Sequence, residues 1–143
     1  MNSAEDKQKP TPHKPPVRPA GAADWDAMCD LNPGLRGGGH GPARMMLALE
    51  AGCVLVAEVQ GRVVGYLAYD YYFFDRGFVE HLIVHPDFRR RGLGEALMRA
   101  AAASCDTADL FTSTNESNKP MQALLAKLGY EHCGAVDQLD PGN

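Results

Sequence analysis

The chain has 143 residues and a formal net charge of −4. This length favours one domain with a hydrophobic core that needs neither disulfides nor a metal ion. The acidic balance argues against a nucleic-acid-binding protein, which usually carries a basic face. No apolar run approaches the roughly 18 residues of a membrane span, and the four cysteines are scattered as free thiols usually are. We therefore expect a cytoplasmic protein with no membrane or nucleic-acid partner and no metal site.

The first part of the chain contains a tail, a short strand and two helices. Residues 1–16 are polar and proline-rich, which predicts a disordered tail, and residues 17–143 form the single predicted domain. Residues 32–42 are rich in glycine but lack the Gly-Lys-Ser/Thr of a phosphate-binding P-loop, so we interpret them as a connection. The elements predicted around this connection are a strand at 17–20 and helices at 22–31 and 43–52.

Three strand patterns follow, separated by short polar turns. Such turns join antiparallel neighbours, so the pattern predicts an antiparallel meander. Pro86 ends the last of the three, because proline cannot serve a central ladder. The predicted strands are residues 53–59, 63–74 and 78–84.

The rest of the chain alternates helices and strands. A strand–helix–strand crossover joins parallel strands, so residues 78–84 and 110–114 should be parallel neighbours. We therefore expect an α/β fold with a mixed, mostly antiparallel central sheet and helices on both faces. The last predicted strand, residues 130–136, is followed only by turn residues, so we expect a C-terminal partner strand to be missing or truncated. The remaining predicted elements are a helix at 92–104, a strand at 108–114 and a helix ending at Gly129.

Three arginines precede the helix at 92–104, and two glycines, Gly92 and Gly94, lie at its start. A helix N-terminus presents unpaired N–H groups and a partial positive charge, and phosphate binds there readily. Glycine allows an oxygen atom to approach the backbone closely, whereas arginines oppose the helix dipole at this position. The pattern therefore indicates an anion site, with a basic solvated turn as the structural alternative.

The spacing Arg89-x-x-Gly92-x-Gly94, after a strand that ends at Val84, resembles the acetyl-CoA signature of the GNAT N-acetyltransferase superfamily. Asn118 and the helix after it resemble the second signature of that family. The resemblance implies a GNAT-like acyl-CoA N-acyltransferase fold and acetyl-CoA as cosubstrate. A dinucleotide-binding domain is excluded, because Gly-x-Gly-x-x-Gly is absent.

The resemblance also implies roles for individual residues. Backbone amides of residues 90–95 would bind the pyrophosphate, and the backbone of residues 82–84 would bind the pantetheine arm where two parallel strands splay. One N–H near Leu82 or Ile83 would polarise the thioester carbonyl. Asn118 would face the cofactor arm or cap its helix. The residues assigned to the cofactor are Leu82, Ile83, Val84, Arg89, Arg90, Arg91, Gly92, Leu93, Gly94, Glu95, Asn115 and Asn118.

Acetyl transfer to an amine also needs a group that removes a proton, because an amine with a pKa of about 10.4 is mostly protonated at neutral pH. Glu80 is the candidate base, since it interrupts an apolar strand and the family often has an acid here. By strand alternation His81 should point to the opposite face. The family's usual Tyr position holds Leu125, so the thiolate would take its proton from water or from a donor such as Tyr130.

The acceptor is indicated only by class. Residues 66–75 combine tyrosines and phenylalanines with Asp70 and Asp75, a composition that suits a cationic amine, although an aromatic strand in a core has the same pattern. We expect a small-molecule amine or a protein lysine as acceptor, with residues 37–41 near its wall. A catalytically weak or inactive acyl-CoA-binding module is the alternative function. The unfilled sheet edge also favours a homodimer.

Overall fold

The computed structural model describes residues 16–139, which form one five-stranded sheet with α-helices on both faces. The strands are β1 (Val17–Pro19), β2 (Val54–Val59), β3 (Arg62–Phe73), β4 (Arg76–Val84) and β5 (Leu110–Thr112). The α-helices are α1 (Trp25–Leu31), α2 (His40–Glu50), α3 (Leu93–Ser104) and α4 (Lys119–Lys127). Short 3-10 turns lie at Ala22–Asp24, Pro33–Arg36 and Pro86–Phe88.

The sheet has the predicted mixed topology, with strand order β1-β2-β3-β4-β5. Strands β1 to β4 are antiparallel neighbours, and tight turns connect β2 to β3 and β3 to β4. Strand β5 is parallel to β4, since α3 carries the chain across the sheet between them. The two halves meet at β4, which therefore has a different kind of neighbour on each edge.

Each face of the sheet has its own hydrophobic core, which confirms helices on both sides. Leu97 and Met98 of α3 pack with β2, β3 and β4 on one face, and apolar residues of α4 pack against this cluster. Met28 of α1 and Met45 of α2 pack with Val56 and other strand residues on the opposite face. The four helix residues among these are at most 2% exposed. The helices that precede β2 therefore cover one face, and those that follow β4 cover the other.

Several predicted elements and boundaries differ in the structure. Residues 130–136 form no strand, and the side chains of residues 131–139 are exposed. Helix α2 begins at His40 rather than at residue 43, so Pro42 lies in its first turn. A proline is tolerated there, because the N–H groups of a first turn make no intrahelical hydrogen bond. Most of the predicted tail lies outside the described residues, but the Pro16 carbonyl accepts a hydrogen bond from the Glu58 N–H at 3.0 Å. None of the helices in residues 16–139 combines the length and apolar composition of a membrane span.

Candidate functional site

Strand β5 is short, and all of it pairs with residues near the start of β4. Residues 77–79 face residues 110–112, and the Thr112 hydroxyl donates to the Val79 carbonyl at 3.1 Å. Beyond Val79 the ladder does not continue within the described residues, although β4 runs to Val84. Because β5 ends at Thr112, the part of β4 beyond Val79 has an open edge on this side, which we call the gap.

The backbone of β4 directs alternate residues into this gap. Consecutive strand residues turn their N–H and C=O groups to opposite edges. The His85 N–H donates to the Val64 carbonyl of β3 at 2.7 Å, so Ile83 also faces β3. Leu82 and Val84 consequently face the gap. Of the three residues expected to bind the pantetheine arm, these two have backbone groups directed toward the gap.

The loop before α3 exposes a run of unpaired amides. Arg90 and Gly92 both have left-handed backbone conformations, with φ of 64° and 78°, and α3 begins at Leu93. The N–H groups of residues 90–95 find no hydrogen-bond acceptor among residues 16–139. Because N–H groups in the first turn of a helix lack intrahelical partners, this end of α3 can bind an anion.

The three arginines of this loop keep their positive charge unneutralised. The Arg89 Nε donates to the Val84 carbonyl at 3.3 Å, and the Arg91 guanidinium lies over the Phe88 ring at 5.0 Å from its centroid. Within residues 16–139, no carboxylate lies within 4.0 Å of Arg89, Arg90 or Arg91. The loop therefore attracts anions to the unpaired amides.

Gly94 and Glu95 lie at the start of α3, where this helix contacts α4. A Cβ at Gly94 would lie 3.4 Å from the Leu124 Cδ2, so this glycine permits close helix packing. The Glu95 carboxylate pairs with Arg99 at 3.0 Å and Lys127 at 2.8 Å. Hydrogen bonds from Lys127 and Arg99 lower the pKa of Glu95. The side chain of Glu95 thus supports the loop, while its backbone N–H stays with the unpaired amides.

The two asparagines of the second signature shape the start of α4. The Asn118 side chain accepts a hydrogen bond from the Met121 N–H at 3.2 Å, which is a helix N-cap. The Asn115 carbonyl accepts from the Asn118 N–H at 3.0 Å and from the Gln122 side chain at 2.9 Å. The capping role proposed for Asn118 from the sequence is therefore present.

Leu125, at the position where the resembled family usually has a tyrosine, lies in the hydrophobic core. It packs against the cluster beneath α3, and Tyr130 packs against the same cluster. The Tyr130 N–H donates to the Leu125 carbonyl at 2.9 Å. Burial raises the pKa of the Tyr130 hydroxyl, which makes it a weaker acid than an exposed tyrosine.

A β-bulge at Glu80 sets the geometry of the candidate base. Ala68 of β3 lies opposite His81, and the next residue, Tyr69, lies opposite Val79, so Glu80 has no partner in the register. A bulge breaks the two-residue alternation. Glu80 and His81 consequently line the same cavity. The prediction that His81 points to the opposite face from Glu80 is wrong, because alternation holds only in a regular strand.

This cavity contains a pair of carboxylates bridged by one cation. The Arg44 Nη2 of α2 donates to the Glu80 Oε2 at 3.2 Å and to the Asp70 Oδ2 at 3.3 Å. The Arg44 guanidinium also lies 5.7 Å from the centroid of the Tyr72 ring. No sequence motif indicated Arg44, because its partners lie on strands far away along the chain. The cavity is lined by Gly41, Arg44, Met45, Ala48, Ala68, Tyr69, Asp70, Glu80 and His81.

The protonation of the cavity side chains is shifted by burial and by charge. Burial is the largest cause that raises the pKa of Glu80, and Asp70 adds to it, whereas Arg44 opposes it. Burial also lowers the pKa of His81, and the Arg44 charge acts in the same direction. Glu80 is therefore a stronger base than an ordinary carboxylate, and His81 favours its neutral form.

Most of the aromatic segment at residues 66–75 is structural. Tyr66 and Tyr69 are buried, and the Phe73 ring packs between those of Phe78 and Phe111, each 5.1 Å away. Tyr72 is exposed beside Arg44. The part of this segment that borders the cavity is therefore small, and Asp70 is its charged member.

Comparisons with known proteins agree with this geometry. The family model described as the acetyltransferase (GNAT) family matches residues 25–130. A GNAT-family acetyltransferase from Bacillus cereus is 30% identical, with a TM-score of 0.80 and 89% of each chain covered.

Two more distant structures have the same fold. The aminoglycoside N-acetyltransferase AAC(6')-Iy, in complex with CoA, is 21% identical with a TM-score of 0.71, over 85% of this chain and 95% of that one. A ribosomal-protein-alanine N-acetyltransferase from Brucella melitensis is 23% identical with a TM-score of 0.67, over 83% and 86% of the two chains.

Proposed function

Because the chain belongs to the acetyltransferase (GNAT) family, we propose that it transfers an acetyl group from acetyl-CoA directly to the primary amine of a small cationic molecule. The observation that carries the proposal is the open edge of β4, which has an uncompensated cationic loop beside it and the base Glu80 in the same strand. The enzyme is an acetyl-CoA-dependent N-acetyltransferase, and the small cationic acceptor is the proposed part.

The donor site consists of the loop and the gap. The N–H groups of residues 90–95 have no other partner among the described residues, so they would bind the diphosphate. Arg89, Arg90 and Arg91 would add long-range attraction. Leu82 and Val84 direct backbone groups into the gap, where the pantetheine arm would add like a further strand.

The chemistry requires one proton acceptor and one N–H donor. Acetyl-CoA supplies the activated thioester. The Leu82 N–H faces the gap and would donate a hydrogen bond to the thioester oxygen, which favours attack by the amine. The amine nitrogen bonds to the acetyl carbon, the carbon–sulfur bond breaks, and the amine proton passes to Glu80 directly or through water. Since Leu125 cannot donate a proton, the thiolate would take one from water or from a donor such as Tyr130.

The acceptor class follows from the charge of the cavity. Asp70 of β3 and Glu80 of β4 place two carboxylates in the cavity, Glu80 being the first β4 residue beyond the pairing with β5, and side chains of α2 form the facing wall. Carboxylates attract a cationic amine, and a raised pKa at Glu80 improves proton removal near neutral pH. A lysine side chain has the same ammonium group and is the second acceptor to test.

The test is turnover with a panel of amines. Purified protein is incubated with acetyl-CoA and 1,4-diaminobutane, spermidine, an aminoglycoside or a lysine-containing peptide, and thiol release and product mass are measured. We expect acetylation of at least one small amine, and loss of turnover in Glu80→Gln. Glu50→Gln, at the exposed end of α2, is the matched control. Binding of CoA with no acetylated product from any amine would contradict the proposal and favour an inactive module.

A further inference from the structure

The Arg44 side chain contacts the carboxylate of the candidate base, Glu80. One guanidinium nitrogen contacts both carboxylates, at 3.2 Å from Glu80 and 3.3 Å from Asp70. An acceptor amine must reach the same Glu80 carboxylate to lose its proton. A guanidinium and an alkylammonium carry the same charge and bind the same oxygens, so the two groups compete for one place.

We propose that Arg44 is a specificity-determining residue that occupies the ammonium position of the acceptor and leaves it when the acceptor binds. The inference rests on the proposed function, because it assumes that the acceptor amine approaches Glu80. Arg44 then acts as a resident competitor. A cationic acceptor displaces it, and a weakly bound or uncharged molecule does not.

The Arg44 side chain can leave at low cost. It is 54% exposed, whereas the side chains of Asp70 and Glu80 are 17% and 33% exposed. Ion pairs with an exposed partner contribute little to stability. Arg44 lies one turn after the start of α2, and the glycine-rich residues before this helix include Gly39 at φ of 110°. The guanidinium can therefore move toward solvent without disturbing either core.

Charge balance makes the exchange selective. With Arg44 in place, one cation faces the two carboxylates. An incoming ammonium restores this balance after Arg44 has moved, but a neutral or anionic acceptor leaves two half-buried carboxylates without a counter-ion. The cavity therefore discriminates against uncharged and acidic molecules, because unpaired carboxylates in such a site are unfavourable.

The first test needs no turnover. Methylguanidinium, which carries the end group of Arg44, is titrated into the full-length wild type and into Arg44→Ala, and binding is followed by NMR shifts of the Asp70 and Glu80 signals. We expect Arg44→Ala to bind the probe about twofold to thirtyfold more tightly, the range that two exposed ion pairs contribute. Arg36→Ala is the matched control, because Arg36 pairs at 2.7 Å with the exposed Asp30 outside the cavity.

The second test uses steady-state kinetics with 1,4-diaminobutane. Arg44→Ala should lower KM by a similar factor and leave kcat within about threefold, because removal of a competitor changes binding and not the chemical step. Arg44→Lys keeps a cation at this position and should stay closer to the wild type. A structural role for Arg44 would instead raise KM or lower kcat and stability together.

The outcomes separate the two proposals. Equal or weaker binding of methylguanidinium by Arg44→Ala, or no binding by either protein, would overturn the resident-competitor role even if acetylation is observed. Tighter binding by Arg44→Ala in a protein that acetylates no amine would support the role of Arg44 and contradict the proposed function.

Discussion

Replacement of Gly92 by alanine tests whether the loop before α3 must keep its shape to bind the donor. Gly92 has φ of 78°, and a Cβ added there would meet no atom within 4 Å, so the only penalty is conformational. A non-glycine residue in the left-handed region costs about 1–2 kcal/mol. If the loop relaxes in the free protein, binding must restore the strained form, and CoA affinity should fall about fivefold to thirtyfold.

Gly61→Ala is the matched control, because Gly61 has the same φ of 78° and the same open space but lies in the turn between β2 and β3. Gly61→Ala should lower the melting temperature by about 2–8 °C, whereas Gly92→Ala should lower it less, because its loop relaxes away from the strained form in the free protein. Calorimetric titration with CoA should then detect a loss of affinity only in Gly92→Ala. Equal CoA affinity of the two variants would refute the role of the loop.

Four further predictions follow from the site and the core. Glu80→Gln should lower kcat about 10²–10⁴-fold, the usual contribution of general-base catalysis, and a decrease below tenfold would contradict its role as base. In the wild type, kcat/KM should fall as pH decreases through the raised pKa of Glu80, because the base must be ionised; an acid limb at the pKa of an ordinary carboxyl would contradict this. Gly77→Ala should destabilise the fold by about 1–3 kcal/mol, because the new Cβ would collide with the Cys105 Sγ. Cys105→Ala should restore much of that loss in thermal unfolding, and no restoration would contradict the collision. Leu97→Ala should cost about 2–5 kcal/mol, since Leu97 is fully buried; a smaller loss would place it outside the core.

The pH at which kcat/KM falls on the acid side depends on the groups around Glu80. Burial and Asp70 raise the pKa of Glu80, Arg44 lowers it, and His81 lines the same cavity. Arg44→Ala should therefore move the acid limb to higher pH, and Asp70→Asn should move it to lower pH. His81 favours its neutral form and adds little charge near neutral pH.

The element order and the unpaired amides before α3 could be predicted because their signals are local. Turn residues separated the strands, apolar spacing indicated the helices, and the crossover rule placed β5 parallel to β4. The unpaired amides follow from the position of Gly92 at a helix start. Such features depend on a few neighbouring residues and therefore appear in the sequence.

The candidate base and its surroundings could be predicted only in part. Glu80 was recognisable as an acid in an apolar strand, but the bulge beside it depends on pairing with β3, and it brings His81 into the cavity. Arg44 contacts Asp70 and Glu80 across the fold. Residues 130–136 have a strand-like pattern, yet a strand needs a partner to form a ladder, and no described strand pairs with them.

An NMR titration of the full chain with acetyl-CoA tests the central claim most directly. The account predicts that the largest amide shifts occur at residues 90–95 and at Leu82 and Val84, while the Gly61 amide in the β2–β3 turn stays unchanged. Shifts confined to other parts of the sheet, or no shifts at saturating acetyl-CoA, would contradict the claim that these amides bind the donor.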